Sequence, residues 1–340
     1  MAEFLGVCPD CAKTEIGAER AQAAHSRART LYGLPEIAPR TIDGVSCKLC
    51  VSQCKIGDAE RGFCGLRTAE GSKIRHLAGT SQKGVLHWYR DPLPTNCVAD
   101  WVCSGNQKFG MHNLAVFYAS CTLDCLFCQN WHYRKVDPER SDGLSARELA
   151  DCANNLTYCV CFFGGDPASQ MPHALASARS FAEKGVVVCW ETAGTANPKL
   201  MQRALRYSLE TDGCVKFDIK AYTESLHKTL TGISNHQTLA NFSQTGEFSH
   251  QRLKTPLVIA STLLVPGYVG VKEVRKIAAF IATVNQDIPY SLLAFAPQFM
   301  MCDLPPTSRE HADAAYQAAR EEGLTNVRIG NRHLLSRAYG

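Results

Sequence analysis

Three cysteines, Cys121, Cys125 and Cys128, stand in the stretch CTLDCLFCQN, directly after the apolar run LAVFYAS. Thiolates are soft ligands suited to zinc or to iron–sulfur clusters. A closed structural metal site takes four protein ligands as a rule, whereas three leave a coordination position open for a reacting molecule. With 17 cysteines in 340 residues, each position is cysteine about one time in twenty, and chance supplies about 0.04 matches to C-x3-C-x2-C. The spacing is therefore informative. The functional reading is a cluster held by these three thiolates with one iron unsaturated. The blander reading is a structural zinc that borrows a fourth ligand from elsewhere.

The elements around the triplet must hold it at a reactive edge. From about residue 113 short β-rich apolar runs alternate with helical patterns: LAVFYA, YCVCFF, VVVCW, CVKFDI, PLVIASTLLV, YSLLAFA and NVRIGN, separated by segments such as SARELADCANNL, NPKLMQRALRYSLE and VKEVRKIAAFIATVN. That alternation predicts parallel strands covered by crossover helices, an α/β partial barrel of about six units over 111–340. In such barrels the reactive residues lie at the carboxyl ends of the strands, which places Cys121, Cys125 and Cys128 after the first of them. Residues 1–110 differ in texture, with short segments punctuated by cysteine and glycine, and read as a cysteine-rich cap. Helical period appears there only in AERAQAAHSRARTLYG.

Composition is that of a globular protein, 45% apolar and 20% charged, and a net charge of +4 is too mild to indicate nucleic acid. No run of 18 apolar residues is present, and the opening MAEFLGVCPDC lacks the layout of a secretory signal. The expected location is the cytoplasm, with no membrane or nucleic-acid partner. Thiols are kept reduced there, so metal or cluster ligation explains the cysteines better than disulfides do. Cys159, Cys161, Cys189 and Cys214 sit in strand-like runs and read as small buried hydrophobes.

C-x3-C-x-aromatic-C after a first barrel strand, with Phe127 at the aromatic position, resembles the signature of the radical S-adenosylmethionine (SAM) superfamily. The resemblance covers roughly residues 110–332. It implies a 4Fe-4S cluster whose open iron chelates the methionine moiety of SAM, and one-electron cleavage to a 5′-deoxyadenosyl radical that abstracts hydrogen. FFGGDP resembles the family's Gly-Gly-Glu stretch and implies SAM contacts from Gly164, Gly165 and Asp166, with aspartate here in place of glutamate. ETAGT, with Glu191 and Thr192, resembles the strand end that meets the ribose, and KFDIKAY, with Asp218 and Lys220, resembles the Asp-x-Lys strand end of glycyl-radical-activating enzymes.

In the cap, CKLC…C…RGFCGLR supplies Cys47, Cys50, Cys54 and Cys64, and CPDC supplies Cys8 and Cys11. One four-thiolate grouping joins Cys8 and Cys11 to Cys47 and Cys50; another joins Cys47, Cys50, Cys54 and Cys64. A structural zinc or mononuclear iron stapling the cap is the preferred reading, a second redox cluster its rival, and unligated thiols the third. The stretch also resembles the lead-in of an uncharacterised group related to pyruvate formate-lyase activases, which carries G-F-C-G-x-R.

Three functions are compatible with this sequence. In layout the chain is similar to methanogen enzymes that use cobalamin to methylate a glutamine α-carbon in methyl-coenzyme M reductase, which implies cobalamin and a protein or peptide substrate. No residue identifies a cobalamin site; His87, Tyr89, His112, Tyr118 and Tyr133 are placed near the barrel mouth without an assigned role. The second function is an activase that makes a glycyl radical on a partner enzyme. The third is a non-catalytic iron–sulfur or zinc binding protein. Either enzyme implies a low-potential donor such as a flavodoxin or ferredoxin.

Overall fold

The computed structural model describes residues 1–95, 97–252 and 254–339. Its strands are β1 (Val45–Ser46), β2 (Lys55–Ile56), β3 (Arg67–Glu70), β4 (Lys73–His76), β5 (Leu86–Pro92), β6 (His112–Tyr118), β7 (Thr157–Phe163), β8 (Val187–Thr192), β9 (Val215–Asp218), β10 (Val258–Leu264), β11 (Tyr290–Ala294) and β12 (Val327–Gly330). The helices are α1 (Glu15–Thr30), α2 (Ala146–Asp151), α3 (Met171–Glu183), α4 (Pro198–Glu210), α5 (Glu224–Thr231), α6 (His236–Gly246), α7 (Val271–Val284) and α8 (Arg309–Glu321). The chain divides into two compact units, one of residues 29–122 with 130–215, the other of residues 1–28, 123–129 and 216–340. The expected cap at 1–110 thus contributes to both units. Among the described residues no helix is long and apolar enough to cross a membrane.

In the first unit β6, β7 and β8 run parallel, as the alternation predicts. A strand earlier than expected, β5, pairs antiparallel with β6 from Leu86↔Tyr118 to Pro92↔His112. The aromatic stretch HWY, residues 87–89, lies within it. Aromatic residues favour strands, and the backbone ladder to β6 is what recruits them. Side chains alternate between faces with period two. One face carries Leu114, Val116, Tyr118, Val160, Phe162, Val188 and Trp190, all buried. Phe162 stacks on Trp190 at 4.7 Å and meets Phe181 of α3 edge-on. The opposite face carries Asn113 opposite Cys159 and Cys161 opposite Cys189.

Helix ends in this unit are set by local chemistry. Ser145 and Glu148 close a capping box on α2, and Asn197 caps α4 with Pro198 at its first position. Two hairpins precede the sheet, β1 with β2 and β3 with β4.

In the second unit β10, β11 and β12 are parallel, and the crossover helices α7 and α8 are apolar on one face, with Val274, Ile277, Ala278 and Ile281 buried on α7. Helix α6 was not expected from sequence. Helix α5 ends at Gly232, whose φ of 72° is the left-handed conformation that closes a helix, with its N–H donating to Lys228 O at 2.8 Å. A Cβ there would meet the His25 ring at 3.2 Å and Asp124 Cβ at 3.5 Å. This close approach lets the last carbonyls of α5 face the cysteine loop.

Replacing Gly232 by alanine adds a left-handed non-glycine residue, a cost of about 1–2 kcal/mol. We expect a lower unfolding midpoint in denaturant; a midpoint equal to the parent's contradicts the packing described.

Candidate active site

The four segments that carry the resemblance over the barrel each lie at the carboxyl end of a strand. The cysteine loop follows β6, GGDP follows β7, ETAGT spans the end of β8, and DIKAY follows β9. Cys121 belongs to the first unit, and Cys125 and Cys128 to the second.

In the first unit the approach to Cys121 is set by a glycine pair and a buried carboxylate. Gly164 and Gly165 have φ of 67° and 53°. A Cβ on Gly165 would lie 2.1 Å from Tyr118 O and 2.3 Å from Ser120 O, so only glycine lets this loop pass the strand end. The loop is held there by Asp166 N–H donating to Ser120 O at 3.0 Å. The Asp166 side chain is 3% exposed. Its Oδ1 accepts from Ala168 N (2.7 Å) and the Thr192 hydroxyl (2.9 Å), and its Oδ2 from Ala193 N (2.9 Å). Both oxygens are engaged with protein donors, so the geometry shows Asp166 positioning the ETAGT stretch. Thr192 Oγ1 in turn accepts from Gly194 N at 3.1 Å. The hydroxyls of Thr122 and Thr195 lie 2.6 Å apart, tying the residue after Cys121 to the same stretch.

In the second unit Asp124, within the cysteine loop, is fully buried against His25 of α1, Oδ2 to Nδ1 at 2.7 Å, while the other His25 ring nitrogen reaches Thr229 O. Asp124 N donates to Thr231 O and Leu126 N to Leu230 O, while Met300 N donates to Leu126 O. The loop bearing Cys125 and Cys128 is thus strapped to the end of α5. His25 was missed in the sequence; nothing in its helical stretch marked it, since its partner is 99 residues away.

Asp218 and Lys220 form an ion pair, both largely buried. The Lys220 ammonium stands 5.7 Å from the centroid of the Phe127 ring. Burial pulls Lys220 down, but Asp218 and the Cys125 and Cys128 thiols outweigh it and hold the ammonium above its ordinary value. A cation in reach of two loop thiols fits the net negative charge that a thiolate-bound cluster brings. Asp218 Oδ1 is buried and accepts no hydrogen bond among the described residues, an acceptor suited to a hydroxyl or ammonium group of a bound SAM. The donor set thus fits both groups.

The cap cysteines separate. Cys8 and Cys11 lie in the second unit with Sγ atoms 3.2 Å apart, and Cys11 N donates to Cys8 Sγ at 3.4 Å. Cys47, Cys50, Cys54 and Cys64 lie in the first unit, where Cys47 N donates to Cys54 O at 2.8 Å across the end of the β1–β2 hairpin. Burial pushes the Cys50 thiol up to about 12 and the Cys54 thiol up to about 11, and every pair among the four is within electrostatic reach. Among the described residues, no three His, Cys, Asp or Glu side chains close on a point that would grip a single metal ion.

Of the residues placed near the mouth, Tyr118 and His112 are committed elsewhere. The Tyr118 hydroxyl donates to Nδ1 of buried His173 (2.9 Å), whose Nε2–H donates to Leu144 O; burial holds His173 down at about 4. His112 Nε2 is 2.7 Å from Thr157 Oγ1. His87 and Tyr89 are exposed on β5, their rings 6.3 Å apart. Tyr133 lines a cavity of about 240 Å³, together with Arg29, Arg134, Cys64 and Cys121. As expected, Cys159, Cys161 and Cys214 are buried; Cys189 is partly buried, its Sγ 3.9 Å from that of Cys214.

Residues 115–267 match the family model described as the Radical SAM superfamily. These residues form a radical SAM domain. An uncharacterised protein of Methanocaldococcus jannaschii is 24% identical over 302 residues, covering 84% of this chain and 81% of its own. The isethionate sulfite-lyase activating enzyme of Oleidesulfovibrio alaskensis is 29% identical over 137 residues, 40% of this chain and 41% of that enzyme. Among solved structures, Streptococcus suis SuiB bound to precursor peptide SuiA superposes with a TM-score of 0.50 at 11% identity, covering 63% of this chain and 47% of that one. That likeness is one of fold, and it agrees with the α/β, parallel-rich architecture of the radical SAM domain.

Replacing Asp218 by asparagine removes a buried negative acceptor without touching a thiol. We expect SAM affinity to fall about tenfold, the scale of a lost charge-assisted hydrogen bond, while cluster absorbance near 400 nm stays at the parent level. A parallel loss of absorbance, or unchanged affinity in equilibrium dialysis, contradicts this assignment.

Proposed function

We infer that the protein is a radical SAM enzyme that abstracts hydrogen from a protein or peptide substrate. The observation that carries this is the triplet Cys121, Cys125 and Cys128 at the carboxyl end of β6, inside the domain matched at residues 115–267. Cys121, Cys125 and Cys128 would hold a 4Fe-4S cluster, which would supply the electron that cleaves the sulfonium of SAM to a 5′-deoxyadenosyl radical.

The chain's own residues do the holding. Asp124, His25 and the end of α5 fix the loop that presents Cys125 and Cys128. Lys220 balances the thiolate charge, and Asp218 offers its open oxygen to SAM. Gly165 and Asp166 shape the wall after β7, and Asp166 keeps Thr192 and Ala193 in place beside Glu191. Phe127 lies buried beneath Lys220 and shields the loop from water.

Two substrates chemistries divide the reading. The relative named as an activating enzyme supports activation of a partner enzyme by hydrogen abstraction from its backbone. The layout seen in the sequence supports C-methylation of a glutamine in methyl-coenzyme M reductase with cobalamin. Of the candidates near the mouth, His112 and Tyr118 are engaged in buried hydrogen bonds and His87 and Tyr89 are exposed, so no described residue identifies a cobalamin site. The activase is the favoured reading of the two. A purely structural iron–sulfur or zinc protein is the reading that the next experiment eliminates.

Anaerobically reconstituted protein, reduced with dithionite, is expected to convert SAM to 5′-deoxyadenosine and methionine, as followed by chromatography with mass detection. Cys125→Ala is expected to lower that yield at least about a thousandfold, because a cluster left with two thiolates is not retained. Parent-level cleavage by Cys125→Ala, or none by the cluster-loaded parent, refutes the proposed activity.

A further inference from the structure

The sequence assigns no role to the arginine that ends RGFCGLR, yet Arg67 is 1% exposed. One of its nitrogens, Nη1, donates to Cys64 Sγ at 3.5 Å and to Ser169 O. Nε and Nη2 are buried with no hydrogen-bond partner among the described residues, and the described ion pairs give it no carboxylate. A guanidinium cannot shed its charge, and burying it uncompensated is strongly unfavourable. Besides the Ser169 carbonyl, the groups within its reach include the thiols of Cys64 and Cys47. Ligated thiolates would provide the missing negative charge.

The four cysteines around it have the form of a cluster cradle. Cys47-x2-Cys50-x3-Cys54 wraps the hairpin end, and Cys64 returns on the next turn. Phe63 N donates to Cys54 Sγ at 3.3 Å, the amide-to-sulfur contact that stabilises a ligating thiolate. The loop is fixed from outside as well: Val51 N donates to Thr195 O and Asn197 N to Leu49 O, bolting it to the stretch after β8. Each of the four thiols lies within electrostatic reach of the other three, and four thiolates are the ligand set of an iron–sulfur cluster.

One connection reaches the SAM site. Ser120, next to Cys121, donates its hydroxyl to the Cys64 carbonyl at 2.8 Å, and Cys64 and Cys121 line the same cavity. We propose that Cys47, Cys50, Cys54 and Cys64, charge-balanced by Arg67, hold a second iron–sulfur cluster that relays electrons through the Cys64–Ser120–Cys121 contact. The cap takes one electron from a low-potential flavodoxin or ferredoxin and is reduced. It passes that electron to the cluster on Cys121 and is reoxidised, with no bond made and no proton moved. Only the relay depends on the radical SAM reading; the metal content of the cap does not.

The test therefore begins with the full chain carrying Cys121→Ala, Cys125→Ala and Cys128→Ala, reconstituted anaerobically with ferrous iron and sulfide. We expect about four iron and four sulfide per chain to remain, with an electron paramagnetic resonance signal on dithionite reduction. Adding Cys47→Ala and Cys64→Ala should bring iron to background. Iron at background already in the triple variant, or one zinc per chain in place of iron, overturns the proposal whatever the parent does with SAM. For the relay, Cys47→Ala in the otherwise native chain should lower the ratio of flavodoxin-supported to dithionite-supported 5′-deoxyadenosine formation about tenfold or more. A ratio equal to the parent's overturns the relay. Arg67→Gln should shift the midpoint potential of the cap signal to more negative values, since it removes a buried cation; an unchanged potential removes the arginine from the account.

Discussion

A carboxylate can be sunk below the surface only if its oxygens are met by donors, and both sides of the cysteine loop depend on that constraint. On one side Asp166 accepts from Ala168, Thr192 and Ala193 and, through its own N–H, holds the carbonyl of Ser120. On the other Asp124 is buried against His25, and its backbone is drawn to the end of α5. Neither aspartate contributes a ligand. Each fixes a run of small and sulfur-bearing residues to one backbone path within its own unit.

Charge is organised by the same logic. Lys220 is buried near Cys125 and Cys128 with Asp218 as its partner, and Arg67 is buried near Cys64 with no carboxylate among the described ion pairs. Burial raises the Cys50 and Cys54 thiols, which keeps them protonated; under the proposal above, metal uptake would release those protons and supply the negative charge that Arg67 lacks.

The glycines complete the picture with a different requirement. Gly165 and Gly232 each sit at positive φ where another chain segment passes too closely for a side chain. One brings the loop after β7 against the end of β6, the other brings α5 against Asp124. Backbone proximity at these two points allows the strand-end loops of each unit to converge on their cysteines.

Much of this was legible in residue order. The C-x3-C-x2-C spacing, the alternation of strands and helices, and the placing of GGDP, ETAGT and DIKAY at strand ends all follow from local pattern, because period and turn chemistry act between neighbours in the chain. The antiparallel strand β5 was not legible, since HWY becomes a strand only by pairing with β6. Nor were the partners of Asp166, the pairing of His25 with Asp124, or the burial of Arg67 beside Cys64 and Ser169. The sequence by itself determined which chemistry the cysteines can perform. Tertiary structure alone decided which carboxylates hold the frame and which cation waits for charge, because burial and hydrogen-bond satisfaction are properties of contacts between residues far apart in the chain.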